Sequence, residues 1–324
     1  KFGKNYGLED ALDYKNKYPN TIILYRVNEN DKKRNYSSNY EPKMIEAMKS
    51  VNHTTFVSDW LKNYFINKYK LKINCNSIIN GCNKNFFYNI KNSQKFKNNK
   101  IKLVTHHHSD NYLKGFHIYN EIDKLLDKNK NIEFTFIGNY NKEYNPKNIK
   151  ILEPCVGEKL GNLLREHDIY LTATQYEPGA MHYVEGLSCG LPVLYCINGG
   201  GAHEVCKMAG EEFHDIKTML EKMELIKNNY GKYIHSIKYK YLGSDRCCKE
   251  YLNLINELTK YNKYDKKIAN IGGSNSILKH SYTNKLKQNN YNFKNYAIGS
   301  VNSIYGLIQL IKYDIINKYD LIIY

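Results

Sequence analysis

The sequence predicts an α/β protein with two Rossmann-like halves. Strand-like apolar runs alternate with helical patterns along most of the chain, which is typical of parallel α/β architecture. The 324 residues are 42% hydrophobic and 25% charged, enough for two ordinary cores. A Lys/Asn-rich polar stretch at 89–100 has the composition of an interdomain linker. We therefore expect a first domain at 1–97, a second at 98–262, and a partial α/β unit at 265–324.

Apolar runs and turn residues place the individual elements. In the first domain we expect strands at 21–27, 54–58 and 77–80 and helices at 42–50 and 59–69. In the second we expect strands at 101–106, 132–138, 149–152, 169–173 and 192–197. Helices are expected at 116–126 and 158–167, and from 215 to about 261 the sequence has a helical pattern.

The most informative segment contains two glutamates, Glu177 and Glu185, between two strand-like runs. Glu177 follows the strand at 169–173, and ligands bind at the carboxyl edge of open parallel sheets. A helix beginning near Ala180 would carry Glu185 on its second turn, with its first N–H groups free for an anion. Carboxylates suit sugar hydroxyls and free amides suit phosphates, so the segment predicts a nucleotide-sugar site. The alternative is a turn residue and a solvated helix acid.

This segment, with the following Gly190-Leu-Pro-Val193, resembles the E-x7-E motif of retaining GT-B glycosyltransferases, family 4 or group 1. The resemblance implies a GT-B fold, contact of Glu177 with the donor sugar hydroxyls, and contact of Glu185 with the ribose hydroxyls. It also implies that the backbone of Gly179, Ala180, Met181 and His182 lies near the donor phosphates. Family members commonly have an aromatic residue and then a glycine where this chain has Gly179 and Ala180.

Lys114-Gly115 resembles the lysine and glycine of the Arg-x4-Lys-Gly element of the same family, whose cations neutralise the donor phosphates. Ser109 stands where the arginine is expected. Either His108 substitutes for it, or Lys114 and the helix amides carry more of the charge. The predicted catalytic residues are thus Glu177, Lys114 and His108, with Ser109 and Gly115 also at the donor. Further similarities lie at 56–60, at 80–83 with Phe86, and at 200–204.

The same resemblance implies that the first strand of the N-terminal domain and its glycine-rich loop lie upstream of Lys1, and that the helices after 215 cross back onto the first domain. Arg26, Asn28 and Glu29 end a strand at the expected cleft. They are predicted either to hold acceptor sugar or donor, or to form a solvated Asn/Asp turn.

The segment after Lys267 is similar to the start of an SGNH-type (GDSL-like) hydrolase. A strand at 268–271 precedes Gly272-Gly-Ser274, and a second strand is expected to end at Gly299. The similarity would make Ser274 the nucleophile, but Gly273 replaces an aspartate and no activating base follows. A plain Gly-rich βα turn is the alternative, and we expect no activity from this segment.

Charge and metal-ligand patterns narrow the function classes. The net charge of +16 attracts polyanions. However, only four residues are arginine, the residue that most often recognises bases, so sequence-specific nucleic-acid binding is not expected. Peripheral contact with an anionic membrane is a secondary hypothesis.

The sequence shows no pattern of metal ligands. His106, His107 and His108 alternate faces on a strand and cannot all bind one metal. No Cys-x-x-Cys pair suggests zinc, so no metal or other cofactor is expected.

The resemblance therefore implies a metal-independent transferase that moves a hexose-type sugar, with retention, from a UDP- or GDP-linked donor. The acceptor is a glycan, a lipid-linked molecule or a protein. Scattered cysteines and the missing signal-peptide pattern predict a cytoplasmic enzyme, with a membrane-peripheral location as the secondary hypothesis. The start at Lys1 predicts a fragment. Two alternatives remain: an inactive sugar-nucleotide or glycan-binding module, and a polyanion binder.

Overall fold

Two parallel sheets organise the protein. The computed structural model describes residues 8–35, 39–90, 100–140 and 144–259, together with the strands Lys267–Asn270, Asn292–Asn295 and Leu321–Ile323. Within these residues each sheet has six strands, and every strand pairing is parallel. Helices cover the sheets, as parallel sheets require when both faces are buried.

The first sheet contains β1 (Ile22–Val27), β2 (His53–Phe56) and β3 (Cys75–Ser77), and its helices are α1 (Leu8–Lys17), α2 (Glu41–Ser50) and α3 (Asp59–Tyr69). The side chain of Ser58 caps α3 by accepting the N–H of Leu61 at 3.0 Å. β1 and β2 and both predicted helices lie within a residue or two of their expected bounds. β3 begins two residues earlier than expected.

The second sheet contains six strands in the order β6-β5-β4-β7-β8-β9. Its strands are β4 (Ile101–His107), β5 (Ile132–Gly138), β6 (Lys150–Leu152), β7 (Ile169–Thr172), β8 (Val193–Cys196) and β9 (Gly210–Phe213). Its helices are α4 (Phe116–Lys128), α5 (Gly157–Arg165), α6 (His182–Ser188) and α7 (Ala202–Cys206). Five of these strands were predicted. The edge strand β9 was not, since its Gly-Glu-Glu-Phe sequence lacks an apolar run.

The helices after the second sheet return to the first domain. They are α8 (Ile216–Asn228), α9 (Tyr230–Ser236), α10 (Tyr239–Leu242) and α11 (Ser244–Thr259). On α11, Tyr251 and Leu254 are buried against Leu24 of β1 and Ile78, just after β3. This contact confirms the predicted crossing.

Three strands from the end of the chain extend the first sheet. They are β10 (Lys267–Asn270), β11 (Asn292–Asn295) and β12 (Leu321–Ile323), and the sheet order is β11-β10-β12-β1-β2-β3. β12 pairs with β1, with Ile22 opposite Leu321. This segment therefore shares a sheet with the first domain. The predicted Ser274 turn and Gly299 lie outside the described residues, so the similarity to an SGNH-type hydrolase stays a prediction.

We predict that Gly115→Ala destabilises the protein. Gly115 has φ +101°, and an added Cβ would lie 2.5 Å from the Cβ of Ala173. A left-handed alanine and a clash with a strand end should together cost about 2 kcal/mol, measured as a lower thermal midpoint. Gly231→Ala is the matched control, since an added Cβ there meets no atom within 4 Å. Equal midpoints for the two variants would contradict this packing.

Candidate active site

Glu177 lies at the carboxyl edge of the second sheet, in the loop that follows β7. The preceding Tyr176 has φ +53°, a left-handed conformation that is uncommon for a non-glycine residue. Its N–H donates to the carbonyl of Asn198 at 2.7 Å, and the carbonyl of Glu177 accepts the N–H of Gly201 at 2.8 Å. An added Cβ on Gly200 would lie 2.5 Å from that carbonyl, so only glycine allows this approach. The loop is thus fixed against the segment after β8.

Two ammonium groups hold the carboxylate of Glu177. Lys114 Nζ donates to Oε2, and Lys33 Nζ lies 3.2 Å from Oε1. Glu177 is only 5% exposed. Burial alone would raise the pKa of Glu177, but the two lysines outweigh it and lower the pKa to about 2. The side chain is therefore an anion at neutral pH.

Lys114 is positioned by the short loop between β4 and α4. It ends a 3-10 helix, Tyr112–Lys114, whose N-cap is Asn111. The side chain of Asn111 accepts the N–H of Leu113 at 2.9 Å. The carbonyl of Leu113 in turn accepts the N–H of Gln175 at 2.9 Å, which ties this loop to the loop carrying Glu177. The predicted meeting of Lys114 and Glu177 therefore occurs through neighbouring loops.

Lys33 was not predicted. It belongs to the first domain, in a 3-10 helix, Lys32–Arg34, that follows β1. Its N–H donates to the side chain of Asn30 at 2.8 Å, and Asn30 Nδ2 donates to the carbonyl of Tyr176 at 3.2 Å. The signal was available, because polar residues after a strand end were expected at the cleft. The candidates named from the sequence, however, were Arg26, Asn28 and Glu29, and the last of these lies four residues before Lys33.

Glu185 pairs with His106, which the sequence did not assign to the site. The distance from His106 Nε2 to Glu185 Oε2 is 2.7 Å. Glu185 lies in the first turn of α6, whereas the second turn was predicted. The prediction was wrong because α6 begins at His182 rather than near Ala180, which leaves Gly179 to Met181 in the loop.

Buried tyrosine and histidine side chains surround His106. The hydroxyl of Tyr170 lies 3.1 Å from His106 Nδ1 and 3.2 Å from His182 Nδ1. His107 Nε2 lies 2.9 Å from the hydroxyl of Tyr119. Burial, helped by nearby Lys114, holds the pKa values of His107 and His182 well below their usual range, so both are neutral at pH 7.

His108 and Ser109 lie on the exposed loop after β4. The carbonyl of His108 accepts from Asn139 Nδ2 at 2.8 Å, and Ser109 Oγ accepts the N–H of Asn111 at 3.2 Å. Neither side chain is among the described partners of Glu177 or Glu185. The structure thus brings Lys33, rather than a group at these two positions, to the acid beside Lys114.

The other predicted donor-binding residues lie in the loop before α6. The carbonyl of Gly179 accepts from Asn80 Nδ2 of the first domain at 2.8 Å. An added Cβ at Gly179 would lie 2.8 Å from the carbonyl oxygen of Val57. Ala180 and Met181 are partly buried against the second domain's core. This loop therefore touches the first domain along a close backbone approach.

The predicted acceptor-side residues have different surroundings. Arg26 donates to the hydroxyl of Tyr251 at 3.1 Å and to Asn80 Oδ1 at 2.8 Å, so it links β1 to α11. Asn28 is exposed. Glu29 pairs with Arg34 at 3.2 Å and lies 3.7 Å from Lys33 Nζ. Of the three, Glu29 contacts Lys33, which in turn contacts Glu177.

A second carboxylate joins the domains at α3. Glu204, at the end of the Gly-Gly-x-x-Glu stretch, accepts the N–H of Asp59 at 3.0 Å and also the N–H of Trp60. These are free first-turn donors of α3, which favour an anion. Burial raises the pKa of Glu204 despite these hydrogen bonds.

In the part of the chain that the structure describes, no three His, Cys, Asp or Glu side chains are grouped so as to hold a metal ion. Over the same residues, no helix has the length and apolar character needed to cross a bilayer.

Two parallel α/β domains that face each other across a cleft define the GT-B class, and solved structures of that class are similar to this chain. The sucrose-phosphate synthase of Thermosynechococcus elongatus has a TM-score of 0.59 at 12% identity, covering 78% of this chain and 77% of that one. Anabaena HepE, solved with UDP and glucose, has a TM-score of 0.58 at 16% identity, covering 74% and 72%. The predicted fold class is confirmed.

The sequence comparisons point to the same class. Residues 87–242, which include the second sheet, match the family model described as glycosyl transferases group 1. A probable sucrose-phosphate synthase of Thermosipho melanesiensis is 35% identical over 105 residues, which are 30% of this chain. The match covers only 24% of that relative's length.

We predict that the contribution of Glu177 to stability is lost in acid. Its folded pKa, about 2, lies below its ordinary value of 4.5. The stabilisation is therefore complete above about pH 4.5 and disappears as the pH falls towards 2. Urea unfolding of the wild type and Glu177→Gln should differ by about 3 kcal/mol at pH 7. The gap should narrow between pH 4.5 and 3, and a gap that widens on acidification would contradict the ion pairing.

Proposed function

We propose that the protein is a retaining glycosyltransferase that uses a nucleotide-sugar donor. The observation that carries the proposal is the meeting of Glu177 with Lys114, and of Glu185 with His106, at the carboxyl edge of one sheet. The edge faces a second domain, as a site for an extended donor requires. The match of residues 87–242 to the model of glycosyl transferases group 1 supports the same activity.

The donor is a UDP- or GDP-linked hexose. Anabaena HepE is described with UDP and glucose, and a pneumococcal O-GlcNAc transferase with UDP and GlcNAc, which supports a nucleotide-sugar. Glu185, held by His106, accepts hydrogen bonds from the ribose hydroxyls, and Glu177 accepts them from the donor sugar. The similarity to sucrose-phosphate synthases supports a sugar acceptor, so a glycan is preferred to a lipid-linked or protein acceptor.

The chemistry follows from the charges at the site. The bond between the anomeric carbon and the phosphate oxygen breaks, and negative charge develops on the departing diphosphate. Lys114 stabilises that charge, and its pairing with Glu177 keeps it directed at the cleft. The acceptor oxygen attacks from the face that the diphosphate leaves, its proton passes to a phosphate oxygen, and the anomeric configuration is retained. No step requires a metal ion.

The eight free thiols support a cytoplasmic site of action.

We predict that the two glutamates affect different kinetic parameters. Glu177→Ala should lower kcat for donor hydrolysis or transfer by about a hundredfold, since a charged group at the reacting sugar is lost. Glu185→Ala should chiefly raise KM for the donor, by roughly tenfold or more. Initial rates with UDP-, GDP- and ADP-glucose would measure both effects.

Glu221→Ala is the control, since Glu221 is an exposed acid on α8. Wild-type rates in both glutamate variants, in folded protein, would contradict the proposal. If the wild type binds a nucleotide-sugar but neither transfers nor hydrolyses it, the protein is instead a binding module. An affinity for polyanions that falls steeply with salt and ignores Glu177 would indicate a polyanion binder.

A further inference from the structure

Lys33 reaches the active-site carboxylate from the opposite domain. Its Nζ lies 3.2 Å from Glu177 Oε1, while Lys114 of the second domain binds Oε2 of the same carboxylate. Lys33 follows β1 of the first sheet, and Lys114 follows β4 of the second. One carboxylate therefore joins cations that come from the two sides of the cleft.

The segment that carries Lys33 is anchored in the first domain. The side chain of Asp31 accepts the N–H groups of Tyr40 and Glu41 at 2.9 and 3.1 Å. Glu41 returns the contact by accepting the N–H of Asp31 at 2.9 Å, and it is only 2% exposed. Tyr64 and Lys68 donate to Glu41, each at 2.8 Å. These buried contacts fix the direction in which the next turn projects its side chains.

The same segment also contacts the second domain. Asn111 Nδ2 donates to the carbonyl of Lys33 at 3.3 Å, and Asn30 donates to the carbonyl of Tyr176. The ammonium of Lys32 lies 4.0 Å from the ring centroid of Tyr176. Both the backbone and the side chain of Lys33 therefore contact the second domain, through Asn111 and Glu177.

Two ammonium groups converge on the carboxylate of Glu177. Lys33 and Lys114 both contact it, and Lys33 also lies 3.7 Å from Glu29. The Lys33 side chain is 21% exposed and the Lys114 side chain 12%. An ammonium has three donors, so each lysine can bind another acceptor while keeping Glu177. Two partly buried ammonium groups so close together favour an anionic ligand between them.

We infer that Lys33 binds the departing diphosphate of the donor together with Lys114, so that the first domain supplies half of the cationic site. The inference rests on the proposed function. It follows that the leaving group is fully neutralised only when the two domains are closed, because Lys33 and Lys114 belong to different domains. Lys33 then supplies the positive charge that is missing at Ser109, so no other residue of the second domain has to supply it.

The test compares binding of a nucleoside diphosphate with binding of the nucleoside alone. UDP, GDP and ADP are titrated calorimetrically into the full chain, and the tightest is paired with its own nucleoside. The variants are Lys33→Gln, Lys33→Met, which keeps the aliphatic stem, and Lys33→Arg. Lys43→Gln is the control, because it removes the same charge from an exposed position on α2. Thermal midpoints establish that each variant is folded.

We expect both neutral Lys33 variants to weaken diphosphate binding by roughly tenfold to a hundredfold and to leave nucleoside binding unchanged. Lys33→Arg should recover most of the affinity, and Lys43→Gln should match the wild type. Equal losses for diphosphate and nucleoside would make Lys33 only a domain contact and overturn the inference. Unchanged diphosphate binding would also overturn it. If the wild type binds no nucleotide, the proposed function itself fails.

Discussion

The structure depends on one ionic arrangement, in which the buried carboxylate of Glu177 lies between the ammonium groups of Lys33 and Lys114. A carboxylate that is 5% exposed would be costly without such partners. Because the two lysines belong to different domains, the same contacts that keep Glu177 ionised also hold the two sheet edges together. The ionisation of Glu177 and the arrangement of the two domains therefore depend on the same contacts.

Other contacts between the domains are both polar and apolar, since Ile79 and Phe86 pack against the core of the second domain. Glu204 caps α3 from across the cleft, and Asn80 donates to the loop carbonyl of Gly179. α11 packs apolar residues against β1. Because Lys33 and Lys114 belong to different domains, a donor that binds both lysines would act on domain closure as well as on chemistry.

The sequence predicted most of the fold because parallel strands leave a strong apolar signal. It also predicted that Glu177 and Lys114 meet, since both follow strands of one sheet at the same edge. It missed β9, whose polar sequence resembles a loop, and it placed Glu185 one helical turn too late. The pairing of Lys33 with Glu177 could not be predicted, because it depends on how two domains face each other. For the same reason, the pairing of β12 with β1 is invisible in the local pattern.

The most direct test of the central claim is a crystal structure of the full chain with the nucleoside diphosphate that it binds most tightly. The account predicts that the diphosphate lies within hydrogen-bonding distance of Lys33 Nζ and Lys114 Nζ, with the ribose hydroxyls at Glu185. A nucleotide bound away from these three side chains, with Glu177 still enclosed by both lysines, would contradict it.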